Sequence, residues 1–288
     1  MLVGVTLGAL GLLPAGCGFG DPGQITLGYL TWHENVAVSN LTKVLLEGDL
    51  GYENVELRRA EDVVPAYKMV GSAEADAFQD TWMPNQREAL SKVEDDVELL
   101  DPWFKGTTRF SVATPAYMNI SSLGQLNETG ARHIIGIEPG TPMMDKLPNA
   151  VIPEYGLEQQ LVEADTEAML AEVERRYRMR EEFAFVAWEP HWMNEAYDLD
   201  YLEDPKGALV TLTEPSDVST LVRDGLAEDD PVAYAYLDSM ELTEAEVTGL
   251  QTEIEDAGDP IEGAKVWLRD NRDVVEPWVE AAEKAGEG

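Results

Sequence analysis

The chain has 288 residues, 44% of them hydrophobic, enough for two lobes of roughly 100–150 residues each. Aspartate and glutamate number 56 against 20 lysines and arginines, a formal charge of −36, which sets aside nucleic acid and anionic lipid headgroups as partners. The acids are spread along the whole chain as solvated helix faces. Self-repulsion on this scale points to a salty working medium, where the Debye length falls from about 8 Å at physiological ionic strength to about 3 Å at 1 M.

Leu2 to Leu13 is an apolar run too short for a membrane span and the right length for a signal-peptide core. It ends in Leu13-Pro14-Ala15-Gly16-Cys17, which resembles a bacterial lipobox, although Pro14 is unusual there and no basic residue precedes the run. Cys17 is the only cysteine, so no intramolecular disulfide forms, and lipidation is its expected fate. The expectation is a signal peptide over 1–17, a flexible tether over 18–23, and a membrane anchor at Cys17.

A first strand is read at Ile25–Leu30 and a helix over Val36–Glu47, capped by Asn35 and broken by Gly48 and Gly51. Val55–Leu57 is a second strand, Glu61–Val70 a helix with Pro65 in its first turn, Ala75–Gln79 a third strand and Asn85–Val93 a helix. These βα units predict a mainly parallel sheet. Phe110–Thr114 reads as the crossing into a second lobe. Its strand Ile134–Ile137 leads to Thr141, a natural N-cap, and Pro142, at the first helical position. Such a start leaves the N–H groups of Met143 and Met144 free to hold an anion. Helix Thr166–Arg180 precedes the apolar run Phe183–Ala187, a buried parallel strand stopped by Pro190. Tyr197–Gly207 is loop-like and Leu209–Leu212 crosses back. The remainder reads as helices at Ser219–Ala227, Pro231–Met240, Thr243–Asp256, Ile261–Asn271 and Val274–Ala285, with Thr243 and Glu246 forming a capping box. Lobe 1 is thus 24–109 plus 209–288, and lobe 2 is 110–208.

His33, His133 and His191 match no metal spacing, and no nucleophile elbow, P-loop or dinucleotide fingerprint occurs. Nothing argues for an enzyme or a cofactor. Three tryptophans stand out instead: Trp32, Trp82 and Trp188 each follow a strand, at the end where ligands bind in open α/β sheets. A quaternary ammonium group donates no hydrogen bond, so its site must use ring faces. Each indole contributes about 0.5–2 kcal/mol, three about 1.5–6, while micromolar affinity needs about 8.2. A second anchor is required. For a ligand carboxylate, the candidates are the helix start at Met143–Met144 and Arg87; His33 is a candidate lining residue. His191 reads as a packed histidine, and Trp103, Trp192, Trp267 and Trp278 as packing.

The chain resembles the glycine betaine-binding lipoproteins of ABC importers. The resemblance is carried by Tyr29-Leu30-Thr31-Trp32-His33-Glu34-Asn35-Val36-Ala37, by Ala75–Phe78 through Trp82-Met83-Pro84-Asn85, by Gly136-Ile137-Glu138-Pro139-Gly140, and by Trp188-Glu189-Pro190-His191-Trp192-Met193 with Tyr201–Gly207. It implies a type II periplasmic-binding-protein-like α/β fold of two lobes, each a mainly parallel sheet flanked by helices, joined by a two-strand hinge that closes on ligand. It also implies that Trp32, Trp82 and Trp188 form a cage and that the protein serves osmoprotection. The protein would be an extracytoplasmic monomer, lipid-anchored to the outer face of the bacterial cytoplasmic membrane, delivering a quaternary ammonium osmolyte to an ABC permease. Two departures bear on the ligand: family members commonly carry histidine where Arg87 stands and glycine where Pro142 stands. Arg87 is a strong carboxylate partner. Choline, carnitine and a sulfonium osmolyte remain as ligands, and a sensor module remains as a role.

Overall fold

The computed structural model describes residues 23–287, so the apolar run, the lipobox with Cys17 and most of the tether lie outside the described residues. The chain opens as alternating strand and helix: β1 (Gln24–Tyr29), α1 (His33–Gly48), β2 (Asn54–Arg59), α2 (Val63–Gly71), β3 (Ala77–Met83), the short α3 (Arg87–Leu90) and β4 (Val97–Pro102). It then crosses to a second sheet, made of β5 (Arg109–Pro115), β6 (His133–Ile135), β7 (Gln160–Val162), β8 (Ala184–Glu189) and β9 (Leu199–Tyr201), with α4 (Pro142–Lys146) after β6. The chain returns to the first sheet with β10 (Asp217–Arg223) and ends in helices Pro231–Ser239, Glu244–Ala257, Pro260–Asp270 and Arg272–Gly286.

Each lobe holds a five-stranded sheet, ordered β2-β1-β3-β10-β4 in the first and β7-β6-β8-β5-β9 in the second. Both are mixed. In the first, β1 runs parallel to β2 and β3, while β10 is antiparallel to β3 and β4. In the second, β6 is parallel to β7 and β8, while β5 is antiparallel to β8 and β9. The antiparallel strands are those next to the two crossings, because a chain that leaves one sheet and later returns feeds strands in from the opposite end. The crossings are tied where the Thr108 hydroxyl donates to the Ser216 carbonyl at 2.9 Å and accepts from the Ser216 N–H at 2.5 Å.

Several expected elements are corrected. Ser219–Ala227 is not a helix: Asp217–Arg223 is a central strand, with Val218, Leu221 and Val222 fully buried. The run Val218–Val222 is short and mixes buried polar Ser219 and Thr220 with apolar residues, so its periodicity alone does not separate strand from helix. Asn35 does not cap α1. The helix starts at His33, three residues before the expected Val36, and the Asn35 side-chain Oδ1 accepts from the Leu30 N–H at 2.7 Å, bracing the turn out of β1. The helix expected over Asn85–Val93 is one turn, and β4 and β9 lie where no strand was expected. The cap at Thr141 with Pro142 behind it, and the capping box of Thr243 and Glu246, form as expected.

Candidate functional site

Trp32, Trp82 and Trp188 line one cavity between the lobes, together with Glu34, Asn85, Gln86, Phe110, Ile137, Thr141 and Pro142. Its volume is about 50 Å³, room for a few water-sized groups at about 10–15 Å³ each. Lobe 1 supplies the turn after β1, the start of α1 and the end of β3. Lobe 2 supplies β5, the β6–α4 turn and the end of β8. Trp82 and Trp188 are not beyond their strands but within the last residues of β3 and β8, 6% and 4% exposed. Trp32 occupies the N-cap of α1, between strand and helix.

Each of the three indole N–H groups is held by a carboxylate. Trp188 donates to Glu34 Oε2 at 3.0 Å and Trp82 to Asp80 Oδ1 at 2.6 Å, while Trp32 donates to Glu138 Oε2 at a longer 3.3 Å. Asp80 and Trp82 are two apart on β3, so the pleat puts them on one face. The Trp188–Glu34 and Trp32–Glu138 bonds run between the lobes in opposite senses, so each lobe supplies a carboxyl group to a tryptophan of the other. Glu138 is itself fixed by the N–H and hydroxyl of Thr166, both at 2.9 Å. The bonds set the ring orientations and place a carboxyl group at the edge of each ring.

The pocket lining contains one carboxylate, Glu34, and no lysine, arginine or histidine. Burial pushes Glu34 up to about 7, against the opposing pull of its hydrogen bonds. Asp80, wholly buried beside Trp82, is also pushed well up, first by burial and then by the charge of Glu34. Burial and their mutual repulsion both disfavour the ionised forms of these two carboxyl groups.

The other expected site residues fall elsewhere. Arg87 is exposed at the first position of α3 and is not among the lining residues. Met143 and Met144 are buried and do not line the cavity; the Met144 N–H is taken by the Thr141 hydroxyl at 3.4 Å, the cap that makes the turn. Their neighbours Thr141 and Pro142 face the cavity instead. His33 lines a separate cavity of about 710 Å³ with Trp192, Glu138 and Glu255. There its Nε2 meets Glu255 at 3.1 Å and its ring packs edge-on against His191, centroids 4.6 Å apart. His191 is buried and accepts the Met193 N–H at Nδ1. Burial and the neighbouring His33 hold it neutral, with its pKa well below the usual histidine range. The Trp192 backbone N–H donates across the lobes to Gln251 Oε1 at 2.8 Å.

Sequence reasoning missed Glu34, Asn85, Gln86, Phe110 and Ile137. Glu34 and Gln86 carried a usable signal. Each is a polar residue two to four places after a tryptophan of the cavity, and the structure buries each almost wholly, at 2% and 7% exposure. Among the described residues no cluster of metal-binding side chains occurs, and no helix is long and apolar enough to cross a membrane.

Comparison with known proteins places this geometry. A family described as the substrate binding domain of ABC-type glycine betaine transport systems matches residues 23–270. The glycine betaine/carnitine transport binding protein GbuC of Listeria monocytogenes is 34% identical over 163 residues, 56% of this chain. That match spans about half of the relative, 52% of its length. Lactococcal OpuAC, in a closed conformation complexed with glycine betaine, superposes with a TM-score of 0.79 at 30% identity, covering 89% of this chain and 99% of that one. The ProX glycine betaine, L-proline-binding protein of Borrelia burgdorferi gives 0.80 at 25% identity, covering 91% and 99%. The expected type II two-lobed fold is therefore the observed one, with mixed rather than mainly parallel sheets. This family is one of binding proteins and not of enzymes, and the chain belongs to it: the substrate-binding domains of ABC-type glycine betaine transport systems.

Proposed function

We propose that the protein captures a small quaternary ammonium osmolyte of the glycine betaine type between its lobes and delivers it to an ABC permease. The observation that carries this reading is the set of three indoles around one cavity, each with its N–H held by a carboxylate. Such rings offer a cation only their faces, and the carboxylates at their edges make those faces more attractive to it. Phe110 adds a fourth aromatic surface. A trimethylammonium group has no N–H to satisfy, and the cavity wall of rings, Ile137 and Pro142 asks for none.

Two of the indole–carboxylate bonds run from one lobe to the other, so ligand capture and lobe closure are one event. A ligand that draws Trp32, Trp82 and Trp188 together gains contacts in the closed form that the open form lacks, which is the condition for shifting the equilibrium. Lipid attachment at Cys17 would keep the receptor beside its permease on the outer face of the membrane. Titration of the protein with glycine betaine, carnitine and choline tests the reading. Micromolar binding of at least one, lost in Trp188→Ala, is expected; no heat of binding with any of the three would overturn it.

A further inference from the structure

The cage accounts for the cationic end of a ligand but not for an oxygen-bearing tail. We infer that Gln86 reads that tail, donating a hydrogen bond from its side-chain Nε2 to a carboxylate or hydroxyl oxygen of the ligand. The inference rests on the cage reading above and names a specificity-determining residue within the same cavity.

Gln86 is 7% exposed, lines the cavity, and stands at the N-cap of the one-turn α3 just after the cage residue Trp82. Its Oε1 accepts two hydrogen bonds, from the Trp82 N–H at 3.0 Å and from the Tyr67 hydroxyl at 2.6 Å. A backbone N–H can only donate, so the atom facing it must be the oxygen, and the orientation of the amide is fixed. Nε2 is thereby turned the other way, and among the described residues no group accepts from it. That leaves a cavity-lining residue with an amide donor that has no partner of its own. A ligand oxygen in the cavity would supply the acceptor.

The rest of the lining leaves this role open. No lysine, arginine or histidine lines the cavity. The Thr141 hydroxyl is occupied, accepting from the Met144 N–H and donating to the Glu138 carbonyl at 3.3 Å. Asn85 leans its Nδ2 on the Leu212 carbonyl at 3.5 Å and presents a buried, unpartnered Oδ1, an acceptor that suits a hydroxyl and repels a carboxylate. Gln86 is the neutral side chain of the lining whose donor has no partner of its own. Because an amide is neutral, it discriminates by position rather than by charge.

The test compares glycine betaine with tetramethylammonium, which has the cationic head and no tail, by tryptophan fluorescence titration of the whole protein. Gln86→Glu is isosteric and keeps an acceptor for Trp82 and Tyr67 while removing the Nε2 donor. Gln86→Met removes it without adding charge. Both variants should bind glycine betaine about 10- to 100-fold more weakly, the range for a hydrogen bond to a charged group. Tetramethylammonium should change less than about threefold in Gln86→Met and gain or hold affinity in Gln86→Glu. An unchanged ratio of the two affinities in the variants overturns the role of Gln86, whether both ligands weaken together or neither does. No binding of either cation by the unsubstituted protein overturns the cage reading and this inference with it.

Discussion

Replacing Glu34 with glutamine separates the charge of the site from its shape. Glu34 is 2% exposed, lines the cavity and holds the Trp188 indole at 3.0 Å. Glutamine keeps the volume and an oxygen for that bond but removes the negative charge. A cation about 5 Å from the carboxylate, at an effective dielectric of about 20, gains about 3 kcal/mol. Glu34→Gln should therefore weaken binding of a quaternary ammonium ligand about 100-fold at pH 8. The parent protein should also show a pH dependence that the variant lacks. With its pKa pushed up to about 7 by burial, Glu34 is mostly protonated at pH 6 in the empty protein. Ionising it there costs about 1.4 kcal/mol, so affinity should rise about tenfold between pH 6 and pH 8.

Stability moves in the opposite sense. A carboxyl whose folded pKa lies above its unfolded value of 4.5 takes up protons on folding, so its contribution to stability falls as pH rises from about 4.5 to about 7. That shift amounts to roughly 3 kcal/mol. The empty Glu34→Gln variant should therefore melt higher than the parent above pH 7 while binding less well. Isothermal titration at pH 6 and pH 8, with thermal melts of the empty proteins, reads both effects. Equal affinity of parent and variant at pH 8, or a parent affinity that does not change with pH, would refute the electrostatic argument.

Trp188→Ala removes one wall of the cage and an interlobe bond and should abolish measurable binding. Trp278→Ala, in the core beside Tyr236, should cost about 3–5 kcal/mol in stability and leave affinity intact; chemical denaturation and titration separate the two. Arg87→Ala should change betaine affinity by less than about threefold, since the residue is exposed and outside the lining, and a tenfold loss would restore Arg87 as an anchor. With a formal charge of −36, the protein should melt at a markedly higher temperature in molar salt than in dilute buffer, and a flat salt series would contradict the salty-medium reading.

The three tryptophans of the cavity were legible in the sequence because each follows or ends a strand bounded by a breaker or a helix start. Pro84 and Pro190, two places after Trp82 and Trp188, mark those ends, and the helix start after Trp32 marks the third. The alternation of strands and helices in the first lobe was legible for the same reason: each element carries its own period and its own stop signal. What stayed hidden depends on contacts between distant segments. β10 is a strand because β3 and β4 flank it; the β-branched Val218, Thr220 and Val222 were a weak local hint of it that the pairing makes decisive. β4 reads as a loop because three of its six residues are exposed, among them Leu99 at 38%.

The site shows the same division. Arg87 looked like the carboxylate partner because it is cationic and close in sequence to Trp82, yet Gln86 points inward, held by Tyr67, nineteen residues before it. In the same way Met143 and Met144 stood at a helix start with free N–H groups, but Thr141 consumes one of these as its own cap. The pairing of Trp32 with Glu138 and of Trp188 with Glu34 spans more than a hundred residues each way, and no local pattern could predict it.

The central claim is that the cavity selects a cation by its charge and not merely by its apolar bulk. Calorimetric titration with glycine betaine and with 3,3-dimethylbutanoate, the same shape with carbon in place of the ammonium nitrogen, tests it most directly. The account predicts that glycine betaine binds at least about 100-fold more tightly, since only the cation gains from the ring faces and from Glu34. Equal affinities would mean that Trp32, Trp82 and Trp188 form an ordinary hydrophobic pocket, and the cage would have to be given up.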